Sequence, residues 1–185
     1  CQDFFERPEP VDNAAELTVV ERRLQRLADE VKVNLARPVA LRAIEHSIDV
    51  WHDYVQIDPA AREVLATIGQ TRSLALVSNF DYAPYVHELM VRLELEPLFD
   101  TIMVSDAVGM KKPHPGIFEQ AQQRLALSPA EAIHVGDSQE DVEGALGAGI
   151  RPVWIDRSRP GRWQASPDLP VSRISSLTEL LDLLF

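Results

Sequence analysis

The sequence predicts an α/β domain built on a parallel, Rossmann-like sheet and preceded by a helical segment. Three observations predict it. The first third carries apolar residues at helical spacing. From Ser73 onward, short continuous apolar runs alternate with helical stripes. Those runs end in polar residues, as strands do when they deliver side chains to one edge of an open sheet.

The elements follow in chain order. Leu17, Val20, Leu24, Leu27 and Val31 form one helical stripe; Leu41, Ile44, Ile48, Trp51 and Val55 form a second, with Pro38 between them. "DPAAREVLATIG" predicts a third helix, with Asp58 as N-cap and Pro59 in the first helical position. Strands are expected at "SLALVS", "TIMVS", "AIHVGD" and "PVWID", because continuous apolar runs mark strands buried on both faces. Helical stripes lie between them at Val86, Leu89, Met90 and Leu93, and again at Ile117, Ala121 and Leu125. "SPAE" at Ser128 and "SLTE" at Ser176 read as capping boxes opening further helices. We therefore divide the chain into a helical part, residues 1–57, and an α/β part, residues 58–185.

Composition narrows the function. The 185 residues carry a formal charge of −11 and no basic face, which argues against nucleic acid or an anionic membrane as partner. A local anion pocket stays compatible with that charge. One cysteine, at position 1, leaves no internal disulfide and fits a reducing, cytoplasmic setting. No apolar run approaches the length of a membrane span. Oligomeric state is left open.

The chemistry-bearing residues sit at the expected strand ends. "HVGDSQEDVEGALGAG" places Asp137 at a strand's carboxyl end and Asp141 in the first turn of the next helix. Two carboxylates so spaced repel each other unless a cation lies near, and oxygen ligands suit a hard one, Mg²⁺ first. The same acids read equally as an N-cap and a helix-dipole partner. Val142, Ala145, Leu146 and Gly149 are the expected buried face of that helix. In "LALVSNFD", the Ser78 hydroxyl and the Asn79 amide can hold a phosphate oxygen, or simply make a turn. In "GMKKPHPGIF", flanking prolines stiffen the stem of Lys112, which reads either as a fixed positive charge or as a solvated loop lysine.

In their order and placement, "VSN", "KKPHPGIF" and "HVGDSQEDVEGALGAG" resemble the second, third and fourth motifs of the haloacid dehalogenase superfamily, over the chain from about Asp58 to the end. The helical first third resembles the cap that many members carry. The resemblance implies a Mg²⁺-dependent hydrolase of a small phosphorylated metabolite, acting through an aspartyl-phosphate. It implies Ser78, Lys112 and Asp137 as catalytic residues, Ser78, Asn79 and Lys112 as phosphate ligands, and Asp137 with Asp141 at the metal, Asp141 either binding it or ordering its water. It also admits a 2-haloacid dehalogenase, or an inactive binding module. The family's first motif, an Asp-x-Asp pair on a central strand, has no counterpart in the sequence; "QDFFE" has no apolar strand before it. We therefore expect the chain to be a fragment of a longer parent, inactive alone, with the nucleophile and the central strand lying outside it.

Overall fold

The computed structural model describes residues 17–157, Trp163, Ser166 and residues 169–185. The "QDFFE" stretch and most of "DRSRPGRW" lie outside the described residues. In chain order the elements are α1 (Val19–Glu30), α2 (Arg37–His52), α3 (Ala61–Gly69), β1 (Ala75–Ser78), α4 (Ala83–Arg92), β2 (Thr101–Val104), α5 (Ser105–Val108), α6 (Gly116–Leu125), β3 (Ile133–Gly136), α7 (Gln139–Gly147), β4 (Arg151–Ile155), β5 (Ser172–Ile174) and α8 (Glu179–Leu184). All four expected strands form. The three-residue β5 was not foreseen, because so short a segment carries no periodic signal of its own.

Every strand pairing is parallel. β1 aligns with β2 from Ala75 opposite Thr101 to Ser78 opposite Val104. β3 aligns with β4, and β4 with β5. The strands form, among the described residues, two sheets, β1-β2 and β3-β4-β5. Among the described residues no strand pairs with the outer edge of β1 or of β3. Both strands are only half-buried along their whole length, whereas β2 and β4 are mostly buried.

Helices cover both faces, and the two sheets share them. On one face Met103 of β2, with Ala75 and Val77 of β1, packs against Ile117, Phe118 and Ala121 of α6 and Ala145 of α7. On the other, Val153 and Ile155 of β4 and Ile174 of β5 meet Val64 and Ile68 of α3 and Leu180 of α8; Leu74, Ile133 and Val135 join this cluster. Alternate residues of one strand thus serve opposite faces, which is why these strands read as unbroken apolar runs.

Some boundaries and faces depart from the sequence reading. "SPAE" makes its reciprocal bonds, but they close only the 3₁₀ turn Pro129–Glu131, because Ala132 turns extended into β3. α8 starts at Glu179, whose carboxylate reaches back to Ser175. α3 starts at Ala61, with Asp58 accepting from the Ala60 amide at 2.9 Å. On α7 the buried residues are Asp141, Val142, Gly144 and Ala145, while Leu146 and Gly149 are exposed. A Cβ on Gly144 would stand 2.5 Å from Phe118, so the close approach of α6 and α7 needs glycine there.

The two leading helices depart most. α1 buries Glu21, Arg23 and Ala28; of its apolar stripe Leu17, Val20 and Leu24 are half-buried, and Leu27 and Val31 are exposed. α2 buries Ala40 and Ile44 but leaves Val39, Val50 and Trp51 exposed. α1 is tied to the α/β part by polar contacts: Val20 N–H donates to the Asp81 carbonyl at 3.0 Å, and Arg23 pairs with the Asp81 carboxylate at 3.1 Å. Among the described residues no helix is long and apolar enough to cross a membrane.

Candidate active site

The carboxyl ends of β1, β2 and β3 deliver the polar residues, and two kinds of work divide them. Ser105 and Asp106, at the end of β2, hold loops. The Ser105 hydroxyl accepts from the Phe80 amide at 3.0 Å and donates to its carbonyl at 3.1 Å. Asp106 accepts from Val19 N–H at 2.6 Å through Oδ1 and from Ala83 N–H at 2.9 Å through Oδ2. One carboxylate thereby satisfies the first amide of both α1 and α4, groups that a helix cannot pair internally. Burial pushes its pKa up, and the two amides oppose that. Asp156, at the end of β4, is paired with Arg173, whose guanidinium also lies over the Trp154 ring.

Ser78, Asn79, Lys112 and Asp141 converge at the ends of β1 and β3. The Asn79 side chain clamps the main chain of Lys112: its Oδ1 accepts from Lys112 N–H at 2.7 Å and its Nδ2 donates to the Lys112 carbonyl at 2.9 Å. Lys112 enters a cis peptide bond with Pro113, and its side chain runs inward. Its Nζ donates to the Val77 carbonyl at 3.0 Å and to Asp141 Oδ1 at 2.6 Å. A lysine that could have been a solvated loop residue is therefore nearly buried and bridges the two sheets. The Ser78 hydroxyl, one residue beyond Val77, is half-buried and bonds to no other described residue.

Asp141 is the hub. Ser138 opens α7 as N-cap, and Asp141 answers as the third residue of a capping box. Its Oδ2 accepts from the Ser138 amide at 3.1 Å and hydroxyl at 2.7 Å, while Oδ1 accepts from Lys112 and from His134 Nε2 at 2.8 Å. The fold-back passes over Gly136, where a Cβ would lie 2.2 Å from the Asp141 Cγ. Asp137 stands beside this group, half-buried at the end of β3.

Burial works to raise the Asp141 carboxyl, but the His134 hydrogen bond and the Lys112 charge outweigh it and hold the group well below the usual carboxylate range. A depressed folded-state pKa stabilises the fold above the ordinary value of 3.8. That stability is lost as pH falls below this value toward the folded one. Urea unfolding of the wild type and of Asp141→Asn should therefore show a stability gap that is constant above about pH 5 and narrows in acid. A gap independent of pH would contradict this.

Two contributors escaped the sequence reading. His134 stands mid-strand in "AIHVGD", a position that by itself suggests only packing. Its signal was the period of two: Ile133 and Val135 face the α3/α8 cluster, so His134 shares its face with Gly136 and with the helix bearing Asp141. The Asn79 side chain is the other, since the resemblance gives a role only to the Asn79 main-chain amide.

The fit of a metal was tested against these contacts. Among the described residues no three His, Cys, Asp or Glu side chains are grouped so as to hold an ion. Both Asp141 oxygens already accept two hydrogen bonds each, which suits a supporting place better than direct ligation. A single carboxylate can still anchor Mg²⁺, which keeps several waters and takes substrate phosphate oxygens as ligands.

Comparison with known proteins identifies the family. The family model for haloacid dehalogenase-like hydrolases matches residues 7–155. The chain is 39% identical over 125 residues to a phosphoserine phosphatase of Thermus thermophilus, covering 66% of this chain and 49% of that protein. It is 36% identical over 154 residues to a glyceraldehyde 3-phosphate phosphatase of Methanopyrus kandleri, covering 76% and 64%. Among solved structures, a 2-haloacid dehalogenase from Pseudomonas syringae pv. Tomato superposes with a TM-score of 0.74 at 26% identity, covering 89% of this chain and 69% of that one. The chain thus spans about half the length of the curated relatives it matches, from 34% to 64%. With more than half of its length inside the family model, the chain belongs to the haloacid dehalogenase-like hydrolases.

Proposed function

We propose that the working enzyme is a Mg²⁺-dependent hydrolase of small phosphate monoesters, whose attacking carboxylate lies on a strand placed between β1 and β3. The observation that carries this reading is the bridge made by Lys112 Nζ between the Val77 carbonyl and Asp141, at the carboxyl ends of two strands whose facing edges are unpaired among the described residues. A parallel strand inserted there would end beside the ammonium. The first Asp of that strand's Asp-x-Asp pair attacks phosphorus and the ester P–O bond breaks, the alcohol leaving with a proton from the second Asp. Water, giving its proton back to the second Asp, then attacks the acyl phosphate, which restores the carboxylate and releases inorganic phosphate. Ser78 and the Asn79 amide orient the phosphoryl oxygens, and Lys112 neutralises charge on them and on the nucleophile. Asp137 is the residue we assign to Mg²⁺, with Asp141 supporting from outside the ligand shell. The ion supplies charge neutralisation to a transferring phosphoryl group, which such reactions need more than covalent help. We place the reaction in the cytoplasm, on the ground of the single cysteine.

The test is complementation. The chain is assayed with p-nitrophenyl phosphate and Mg²⁺, alone and joined to an upstream strand ending in Asp-x-Asp. Turnover is expected only with the strand, and is expected to vanish when its first Asp becomes Asn. Robust turnover by the chain alone would overturn the reading.

The fold likeness to a 2-haloacid dehalogenase, and 30% identity over 141 residues to an (S)-2-haloacid dehalogenase of Pseudomonas sp., favour a second reading in which the same carboxylate displaces halide from carbon without a metal. Halide release from 2-chloropropionate in the presence of a chelator would select it.

A further inference from the structure

We propose that His134 is a positioning residue for the oxyanion pocket, holding Asp141 so that Lys112 keeps one ammonium hydrogen free for a phosphoryl oxygen. The inference rests on the phosphate-pocket reading above and adds a residue to it. An ammonium has three hydrogens. Two of those on Lys112 are committed, to the Val77 carbonyl and to Asp141 Oδ1. Oδ1 in turn offers two lone-pair directions, and His134 Nε2 occupies the second at 2.8 Å. A carboxylate oxygen can only accept, so the imidazole must donate from Nε2. Were that donor absent, the second lone pair of Oδ1 would be open to Lys112, and the ammonium would turn further onto the carboxylate and away from the pocket.

The ring is built to stay where it is. It stands edge-on to Phe118, with centroids 4.8 Å apart and planes at 83°. Gly136, two residues on, provides the space into which Asp141 folds. Outer partners that fix an inner charged group commonly decide how that group meets its ligand.

The experiment measures inorganic phosphate binding by isothermal titration in Mg²⁺ buffer to the chain joined to its Asp-x-Asp strand, for wild type, His134→Phe and His134→Gln, with thermal melts of each. Phe keeps an aromatic ring against Phe118 without the donor; Gln keeps a donor of similar reach. We expect His134→Phe to weaken phosphate binding about tenfold, the size of one lost charge-assisted bond, and His134→Gln to stay within about twofold of wild type. A residue with only a packing role would shift the melts and leave the affinity of the folded protein unchanged. Equal affinity in wild type and His134→Phe, or equal loss in both variants, overturns the proposal while leaving the phosphate pocket standing. Absence of phosphate binding by the wild type overturns the pocket and the role of His134 together. If His134→Phe does not fold, His134→Met takes its place with the same expectations.

Discussion

Asp141→Ala is expected to cost about 3–5 kcal/mol of stability, the range for breaking a buried ion pair by removing one partner. The side chains of Lys112 and Asp141 are only 11% and 7% exposed, so the discount that applies to surface pairs does not apply here. The substitution leaves the Lys112 ammonium enclosed without its counter-charge, strips the Ser138 amide of its cap, and removes the acceptor of His134. For a chain of this size the loss corresponds to a fall in Tm of roughly 6–20 °C. It takes a large share of a total stability of about 5–15 kcal/mol. Urea unfolding measures it. Lys112→Met combined with Asp141→Ala should recover part of the loss, since removing both charges leaves neither stranded. A loss below about 1 kcal/mol would mean that water reaches the pair as it does a surface bridge.

In the enzyme completed by an Asp-bearing strand, Lys112→Ala should lower kcat by about 10²–10³-fold, as loss of one preorganised charge-stabilising donor does. The rate must be normalised to folded protein, because the same substitution leaves Asp141 buried without its cation. Lys112→Arg should not rescue the rate. The ammonium is a compact donor fitted between the Val77 carbonyl and Asp141 Oδ1, and a planar guanidinium cannot place one nitrogen there in the same way. Steady-state kinetics with p-nitrophenyl phosphate measures both. A Lys112→Ala enzyme within tenfold of the parent would remove the ammonium from the transition state.

The α/β core was legible because its strands are buried on both faces and its helices on one. Burial of that kind writes unbroken apolar runs and 3.6-residue stripes directly into the sequence, as at Ala75–Val77 and Ile117–Ala121. The placement of Ser78, Asn79, Lys112 and Asp141 was legible too, since parallel strands must all end at one edge. The two leading helices were legible as helices and in part in their facing. Of their stripes Ile44 is buried and Leu17, Val20, Leu24, Leu41, Ile48 and Val55 are half-buried, but Leu27, Val31 and Trp51 are exposed, while Glu21 and Arg23 are buried with Arg37 and Asp81 as ion-pair partners. Amphipathicity states which face would gain by burial; only a partner surface decides which face is covered. His134 and the side chain of Asn79 were hidden for a related reason, because a single polar residue in a strand or turn carries no period.

The sequence by itself determined the alternation of strand and helix, the parallel sense of the strands, and the edge at which the polar residues gather. These depend on local pattern and on the geometry every parallel strand shares. Tertiary structure alone decided that Lys112 links the ends of β1 and β3, and that Asp141 is shared by Lys112, His134 and Ser138. Those contacts join residues far apart in the chain, and a buried charge takes whichever partner the packing brings within about 3 Å of it.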